Sequence, residues 1–265
     1  MPIALRIAAA IVSLACGTVR AAEDVPFITT PDNVTLAMLR LARVGPQDYV
    51  IDLGSGDGRI VIAAAKQFGA RGLGVEIVPG LVKRSRDNAQ LAGVESRAEF
   101  REEDLFKTDL AKATVVTLYL LPDVNLELRP RLLALKPGTR IVSHDWDMAD
   151  WMPERTLDVV APDKQIGREK TSKVHLWIVP ARVAGAWCGS GHARPTLEIE
   201  QKFQQFRATL TRGTAKQSFD GRIRGSQLQS VDNDFVLTAD ATKLRPVVAR
   251  SAFSDLRGAS FTRCK

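Results

Sequence analysis

The sequence predicts an α/β chain in two parts: a parallel sheet wrapped by helices over residues 23–182, then a small all-β unit over residues 183–265. Three observations carry this. Apolar runs and amphipathic stretches alternate through the first part, the pattern of βαβ units. The run Tyr49-Val50-Ile51-Asp52-Leu53-Gly54-Ser55-Gly56-Asp57-Gly58-Arg59-Ile60 is a strand that breaks into a glycine turn and enters a helix. From Gly185 the pattern becomes short alternating runs, broken by pairs such as Arg212-Gly213, Asp220-Gly221 and Arg224-Gly225, often at roughly ten-residue intervals.

The elements follow in order. Residues 31–43 read as a helix, with Thr30 as N-cap, Pro31 at the first helical position and Val34, Ala37, Met38 and Leu41 on one face. Strand one ends at Leu53, and the alanine-rich helix 59–68 follows it. Residues 71–76 form strand two, ending on Glu76, and 79–92 form a helix whose Lys83, Arg84 and Arg86 read as a solvated face. Residues 98–101 are a short third strand. Residues 113–121 are the fourth strand, residues 123–135 a helix, and residues 140–144 strand five after the Lys136-Pro137-Gly138-Thr139 turn. Two last strands fall near 156–161 and 173–179. The tail reads as a small antiparallel sandwich or barrel without a helix.

Composition frames this reading. Of 265 residues, 45% are apolar, enough for a sizeable core. The net charge of +7 is uneven: residues 183–265 carry 13 basic and 7 acidic side chains, while residues 23–182 carry 22 and 23. The basic surplus is scattered along the tail, where it reads as contact for anionic lipid or polymer or, more often, as plain surface charge; no specific nucleic-acid partner is expected.

The glycine spacing selects a ligand class. A dinucleotide fold uses G-x-G-x-x-G, with its pyrophosphate on the helix N-terminus. Here the third glycine comes one residue early, and Asp52 stands at the strand tip, where a carboxylate repels a pyrophosphate and suits a cationic or zwitterionic ligand. Glu76 lies about 20 residues beyond the turn, where nucleotide folds place the acid that binds ribose hydroxyls. The D-x-G-x-G-x-G run resembles motif I of the class I S-adenosylmethionine (SAM) methyltransferases. That resemblance implies a Rossmann-like seven-stranded sheet and SAM as cofactor. It implies a cofactor site of Asp52, Gly54, Ser55, Gly56, Asp57, Gly58, Glu76, Asp104 and Leu105. Alone, Asp104 reads equally as a cap or a surface acid.

On the acceptor side, Tyr119-Leu120-Leu121-Pro122 stands where this family places acceptor-facing residues. Tyr119 is a candidate to orient an amine through its hydroxyl. His144-Asp145-Trp146-Asp147 follows strand five on the same rim, and His144 or Asp145 is a candidate proton acceptor. The catalytic candidates are therefore Tyr119 and Asp145. Neither His144 nor His175 has a ligand-spaced partner, and Cys188 with His192 supplies only two ligands, so no metal is expected. Thr30-Pro31, Val44-Gly45 and the block from Asp52 to Ala65 look like the small protein-lysine methyltransferases of the ATP synthase c-subunit type. This implies a protein lysine as acceptor, in a membrane or envelope protein. The Tyr119–Pro122 form and the β-rich tail depart from that group. Two alternatives stay open: a non-catalytic SAM-fold binding protein of the envelope, and a nicotinamide-dependent oxidoreductase, against which the glycine spacing and Asp52 argue.

Residues 1–22 read as a signal peptide or membrane anchor. Arg6 precedes the apolar run 7–16, and Ala21-Ala22 offers a cleavage site. The run is shorter than the ~20 residues that span a bilayer. Cys16 also admits a lipoprotein reading. The segment predicts a periplasmic or membrane-associated protein, or a domain held on the cytoplasmic face. Cys188 and Cys264 bracket the tail and would staple its ends in an oxidising compartment, or be two unrelated thiols.

Overall fold

The computed structural model describes residues 27–190 and 194–264; the leader reading and His192 lie outside the described residues. The first part is a seven-stranded sheet. Its strands are β1 (Tyr49–Leu53), β2 (Arg71–Glu76), β3 (Ala98–Glu102), β4 (Val115–Leu118), β5 (Arg140–His144), β6 (Arg155–Val160) and β7 (Thr171–Ile178), in the order β3-β2-β1-β4-β5-β7-β6. The helices are α1 (Asp32–Leu41), α2 (Arg59–Phe68), α3 (Pro79–Leu91) and α4 (Pro122–Leu133).

Strands β1 to β5 are parallel. The sheet as a whole is mixed, which corrects the all-parallel expectation. β7 runs antiparallel to both β5 and β6. No helix lies between β6 and β7, so those strands return as a hairpin, and a hairpin is antiparallel by construction. β1 is central, and four of its five residues are buried because helices cover both faces. Val50 packs with Met38 and Ile60 on one face; Ile51 and Leu53 pack with Leu128 and Leu132 on the other.

β4 is shorter than the sequence suggests. Its last pairs are with Leu53 of β1, where β1 ends, and with Ser143 of β5, which continues for one residue more. Tyr119, Leu120 and Leu121 therefore leave the ladder as a loop at the strand tips. Arg86 is also not simply solvated: its guanidinium donates to the Phe100 carbonyl and ties α3 to β3.

The second part is a closed antiparallel barrel of eight strands. They are β8 (Gly185–Gly189), β9 (Thr196–Lys202), β10 (Gln205–Arg212), β11 (Ala215–Arg224), β12 (Gln227–Ser230), β13 (Phe235–Ala239), β14 (Lys243–Ala249) and β15 (Phe261–Arg263). Period-2 alternation builds it. Leu197 and Ile199 point in while Glu198 and Glu200 are exposed, and Phe206, Ala208 and Leu210 repeat the pattern on β10. Closure removes the sheet edges that would otherwise pair with other chains. A 3-10 helix, Ser251–Leu256, corrects the helix-free reading of the tail. It inserts Phe253 and Leu256 into the core, where Phe253 stacks on Phe235 at 4.6 Å. Six residues with two buried apolar side chains are too few to show a helical period in sequence.

The seam between β8 and β15 carries the Cys188–Cys264 disulfide. The barrel docks at the sheet end opposite the glycine turn. Ala181 N–H donates to the Gly225 carbonyl at 2.8 Å, Gln204 donates to Met152 O at 2.6 Å, and Phe203 stacks on Trp151 at 6.0 Å. Among the described residues no helix is long and apolar enough to cross a membrane.

The disulfide closes a long loop, so its main effect is on the unfolded chain. Replacing both cysteines by serine is expected to lower barrel stability by about 4 kcal/mol at most. Urea unfolding followed by barrel tryptophan Trp187 reads this, and affinity for S-adenosylhomocysteine should not change.

Candidate active site

The glycine turn sits where β1 runs out. The N–H groups of Gly54 and Ser55 both donate to Val75 O, at 3.0 and 2.9 Å, which hooks the turn onto the end of β2. Gly56 and Gly58 have φ of 53° and 81°, the left-handed region that disfavours a Cβ. Space is short as well. A Cβ at Gly58 would lie 2.7 Å from Phe100, and one at Gly56 would lie 2.3 Å from the Phe27 ring. Phe27 therefore covers part of the turn.

Three acids surround it, and they do different work. Asp52 is 2% exposed, and its one side-chain partner among the described residues is the Thr117 hydroxyl, which donates at 2.6 Å. Burial pushes its carboxyl up to about 7, Thr117 opposes this, and the charges of Glu76 and Asp57 add to it. No cation faces it among the described residues. Glu76 accepts from Gly56 N–H at 3.0 Å through one oxygen, and from the N–H groups of Ile77 and Val78 through the other. A carboxylate has about four acceptor sites, so capacity remains. Asp57 is different. It is gripped by the Arg59 guanidinium at 3.0 and 2.6 Å. Burial pushes its carboxyl up, but the Arg59 bonds outweigh that and the net shift is down. Its side chain thereby fixes the start of α2.

Asp104 follows β3, and Glu103 N–H donates to Glu76 O, so the two acids lie on adjacent strand tips. One Asp104 oxygen caps the next turn through Phe106 N–H at 2.9 Å; the other faces Lys107 at 3.3 Å. These contacts match its reading as a cap. Leu105 is half-buried beside it. Ser55 Oγ is buried without a hydrogen-bond partner among the described residues.

The fourth and fifth strand tips form the other wall. Leu120 touches the turn: a Cβ at Gly54 would lie 2.9 Å from its Cδ2. Tyr119 stacks on His144 with ring centroids 3.9 Å apart. Among the described residues its hydroxyl makes no hydrogen bond. Burial, then Asp145, raises the Tyr119 hydroxyl above its ordinary value, so it stays protonated. His144 is fully buried. Its Nδ1 shares a hydrogen bond with Thr30 Oγ1 at 3.1 Å and its Nε2 with Ser172 Oγ at 2.8 Å. Burial lowers it to about 4, so the ring is neutral with both nitrogens occupied, and it does not serve as a base. Asp145, at φ 62°, accepts from Lys173 N–H and pairs with Lys164 at 2.9 Å. Its carboxylate ties β5 to β7, so the structure does not leave it as a free proton acceptor. No sequence signal marks Thr30 and Ser172 as partners of His144, because they lie 114 and 28 residues away.

An adenosyl amino acid fits this donor set. A buried carboxylate without a cation suits an ammonium or sulfonium, and three neighbouring acids disfavour linked phosphates. Sheet order, glycine turn and acid-tipped strands together define a class I SAM-dependent methyltransferase.

Comparison with known proteins agrees. The family model described as the ANTKMT methyltransferase domain matches residues 52–155. The chain belongs to this methyltransferase family, with the protein-lysine N-methyltransferase of Saccharolobus islandicus (strain REY15A), to which it is 43% identical over 51% of this chain and 85% of that protein. It is 37% identical to the ATP synthase c-subunit lysine N-methyltransferase of Mus musculus over 49% of this chain, and spans about half (53%) of that enzyme. A crystal structure of an RNA methyltransferase from Salinibacter ruber in complex with S-adenosyl-L-homocysteine superposes at a TM-score of 0.54. It is 51% identical and covers 59% of this chain and 96% of that one. The chain is a SAM-dependent methyltransferase, and SAM is its cofactor.

Asp52 sets a pH dependence whose sign is fixed. Its folded pKa of about 7 lies above the ordinary 3.8, so the folded state holds its proton longer than the unfolded state. The penalty is absent below pH 3.8, grows as pH rises, and is complete above about 7. Asp52→Asn is therefore expected to raise the Tm of the ligand-free protein at pH 8 while weakening S-adenosylhomocysteine binding at least about tenfold, a loss of about 1.4 kcal/mol. Calorimetry across pH 5 to 8 reads both; a variant that binds like wild type would remove Asp52 from the site.

Proposed function

We propose that the chain methylates the side-chain amine of a lysine in a membrane or envelope protein. The observation that carries this is the Tyr119 hydroxyl: its ring stacks on His144, the next residue, Leu120, touches the glycine turn, and the hydroxyl has no hydrogen bond among the described residues. A neutral hydroxyl that keeps its proton offers oxygen lone pairs to an amine N–H. The lysine acceptor is also supported by the similarity to lysine methyltransferases.

SAM, when bound, supplies an electrophilic methyl group on a sulfonium. The chain's own residues do the rest. Asp52, Glu76, Asp104 and Leu105, with the backbone of Gly54, Ser55, Gly56 and Gly58, would hold and orient the cofactor. Tyr119 would align the amine lone pair, and such alignment supplies much of the rate in a displacement. Neither candidate base is free to take the lysine proton, since His144 and Asp145 are both engaged. Deprotonation then falls to desolvation and water. Leu121 and Trp146, 52% and 44% exposed at the same rim, give an apolar mouth that favours the neutral amine.

The location belongs to the same reading. Residues 1–22 act as a leader or anchor, and the Cys188–Cys264 disulfide supports an oxidising compartment for the barrel. A reporter fused after the barrel tests this directly; cytoplasmic signal alone would overturn it.

Incubating the full chain with SAM and envelope membranes should yield methyl-lysine in peptide mass spectra. Methyl groups found only on RNA would overturn the acceptor assignment. Tyr119→Phe should lower kcat roughly tenfold, the worth of one hydrogen bond, with little change in KM for SAM. At saturating SAM the rate should climb with pH beyond 8, because the group that then titrates is the substrate amine.

A further inference from the structure

At the sheet end opposite the glycine turn, the two parts of the chain enclose a cleft of about 310 Å³. It draws on four separate segments: the end of α1, the start of β5, the β6–β7 hairpin and the end of β11. Arg43, Arg140, Arg155 and Arg224 line it, with Glu154. Leu176 and Ile178 give it an apolar floor.

The charges do not cancel locally. Arg140 is spoken for: it pairs with Asp48 and donates to the carbonyls of Ala42 and Arg43. Glu154, the one acid lining the cleft, faces Arg222 at 3.4 Å. Among the described residues, no carboxylate lies within ion-pair distance of Arg43, Arg155 or Arg224. Three guanidinium groups thus line one concavity whose one lining acid, Glu154, is paired with Arg222 outside that lining set. A concave, low-dielectric wall focuses their field.

A second observation concerns Arg43. Its φ is 52°, just after the C-cap of α1. Glycine or asparagine is the usual occupant there, and a side chain with a Cβ costs about 1 kcal/mol or more. The backbone accepts that cost and presents a guanidinium to the cleft.

We infer that this interdomain cleft is an anion site that takes a phosphoryl group, with a small apolar substituent on the floor. Guanidinium forks bind phosphate oxygens in pairs. Three forks from three elements match the several oxygens of a tetrahedral anion; a planar carboxylate would leave one unused. The volume is at the small end of ligand pockets and excludes a nucleic-acid duplex. The site is complete only with the barrel in place, because Arg224 comes from β11, so occupancy would also bind the two parts together. It is independent of the methyl-transfer reading.

The test uses the full chain saturated with S-adenosylhomocysteine, so that the cofactor cleft is filled. Inorganic pyrophosphate should bind saturably by calorimetry, and sodium chloride at equal ionic strength should not reproduce the effect. Arg155→Ala with Arg224→Ala should weaken binding at least tenfold, with affinity for S-adenosylhomocysteine unchanged. Arg155→Lys with Arg224→Lys should fall between, since charge is kept and the fork lost. Equal pyrophosphate affinity in wild type and both double variants would overturn the proposal, as would a chloride effect of the same size. Vesicles of phosphatidylglycerol and of phosphatidylcholine separate the sources. Co-sedimentation with the first that needs the same arginines assigns a lipid headgroup; pyrophosphate binding without it assigns a soluble phosphate compound.

Discussion

The Asp52 carboxylate lies on the central strand, between β2 and β4, and no cation meets it among the described residues. Burying a charge without a partner is costly, and proteins usually avoid it or neutralise the group. Here burial pushes the carboxyl up to about 7, with Thr117 supporting its charged form. The residues around it follow from that constraint. Glu76 is at the tip of the next strand because β1 and β2 are parallel and in register, Leu53 opposite Val75. Tyr119 stands just past the tip on the other side because β4 pairs with β1 as far as Leu118. The strand ladder thus places an acid, a turn and a hydroxyl side by side, without any of them touching in sequence.

The segment 27–33 adds a second constraint. Phe27 lies on Gly56, Thr30 bonds His144, the Thr30 carbonyl accepts from Arg59, and Asn33 donates to Val160 O at 2.6 Å. One short stretch therefore ties the glycine turn to the tips of β5 and β6. Arg59 closes the circuit, since the same guanidinium grips Asp57. The cofactor wall and the acceptor wall are joined by covalent chain and by these bonds, so a shift in one is felt by the other. His144 acts here as a plate: neutral, bonded at both nitrogens, and stacked under Tyr119.

Much of this was legible in the sequence, and the reasons are physical. β2, α2 and β5 fall where the apolar runs place them, because local pattern and burial agree. Asp52, Glu76 and the glycines are readable because a turn and two strand tips fix their position along the chain. What could not be read involves partners distant in sequence. Asp145 looks like a base until Lys164 and the Lys173 amide fill it. The direction of β7 depends on the absence of a helix between it and β6, which apolar pattern alone does not show. The disulfide was one of two readings from spacing, and the pairing of β15 with β8 decides it.

The barrel's interior is filled by side chains such as Trp187, Phe235 and Phe261, so it is a packed core rather than a chamber. What it can contribute is surface and position. Its contacts run to Met152, Glu154 and the Gly138 turn, all at or leading toward the lower end of the sheet. The glycine turn and the Tyr119 rim lie at the other end, where parallel strands open their carboxyl tips to ligands. An acceptor can therefore approach the apolar mouth of Leu121 and Trp146 without meeting the barrel. The two parts divide the sheet between them: the glycine turn and the Tyr119 rim where the parallel strands end, and the barrel where they begin.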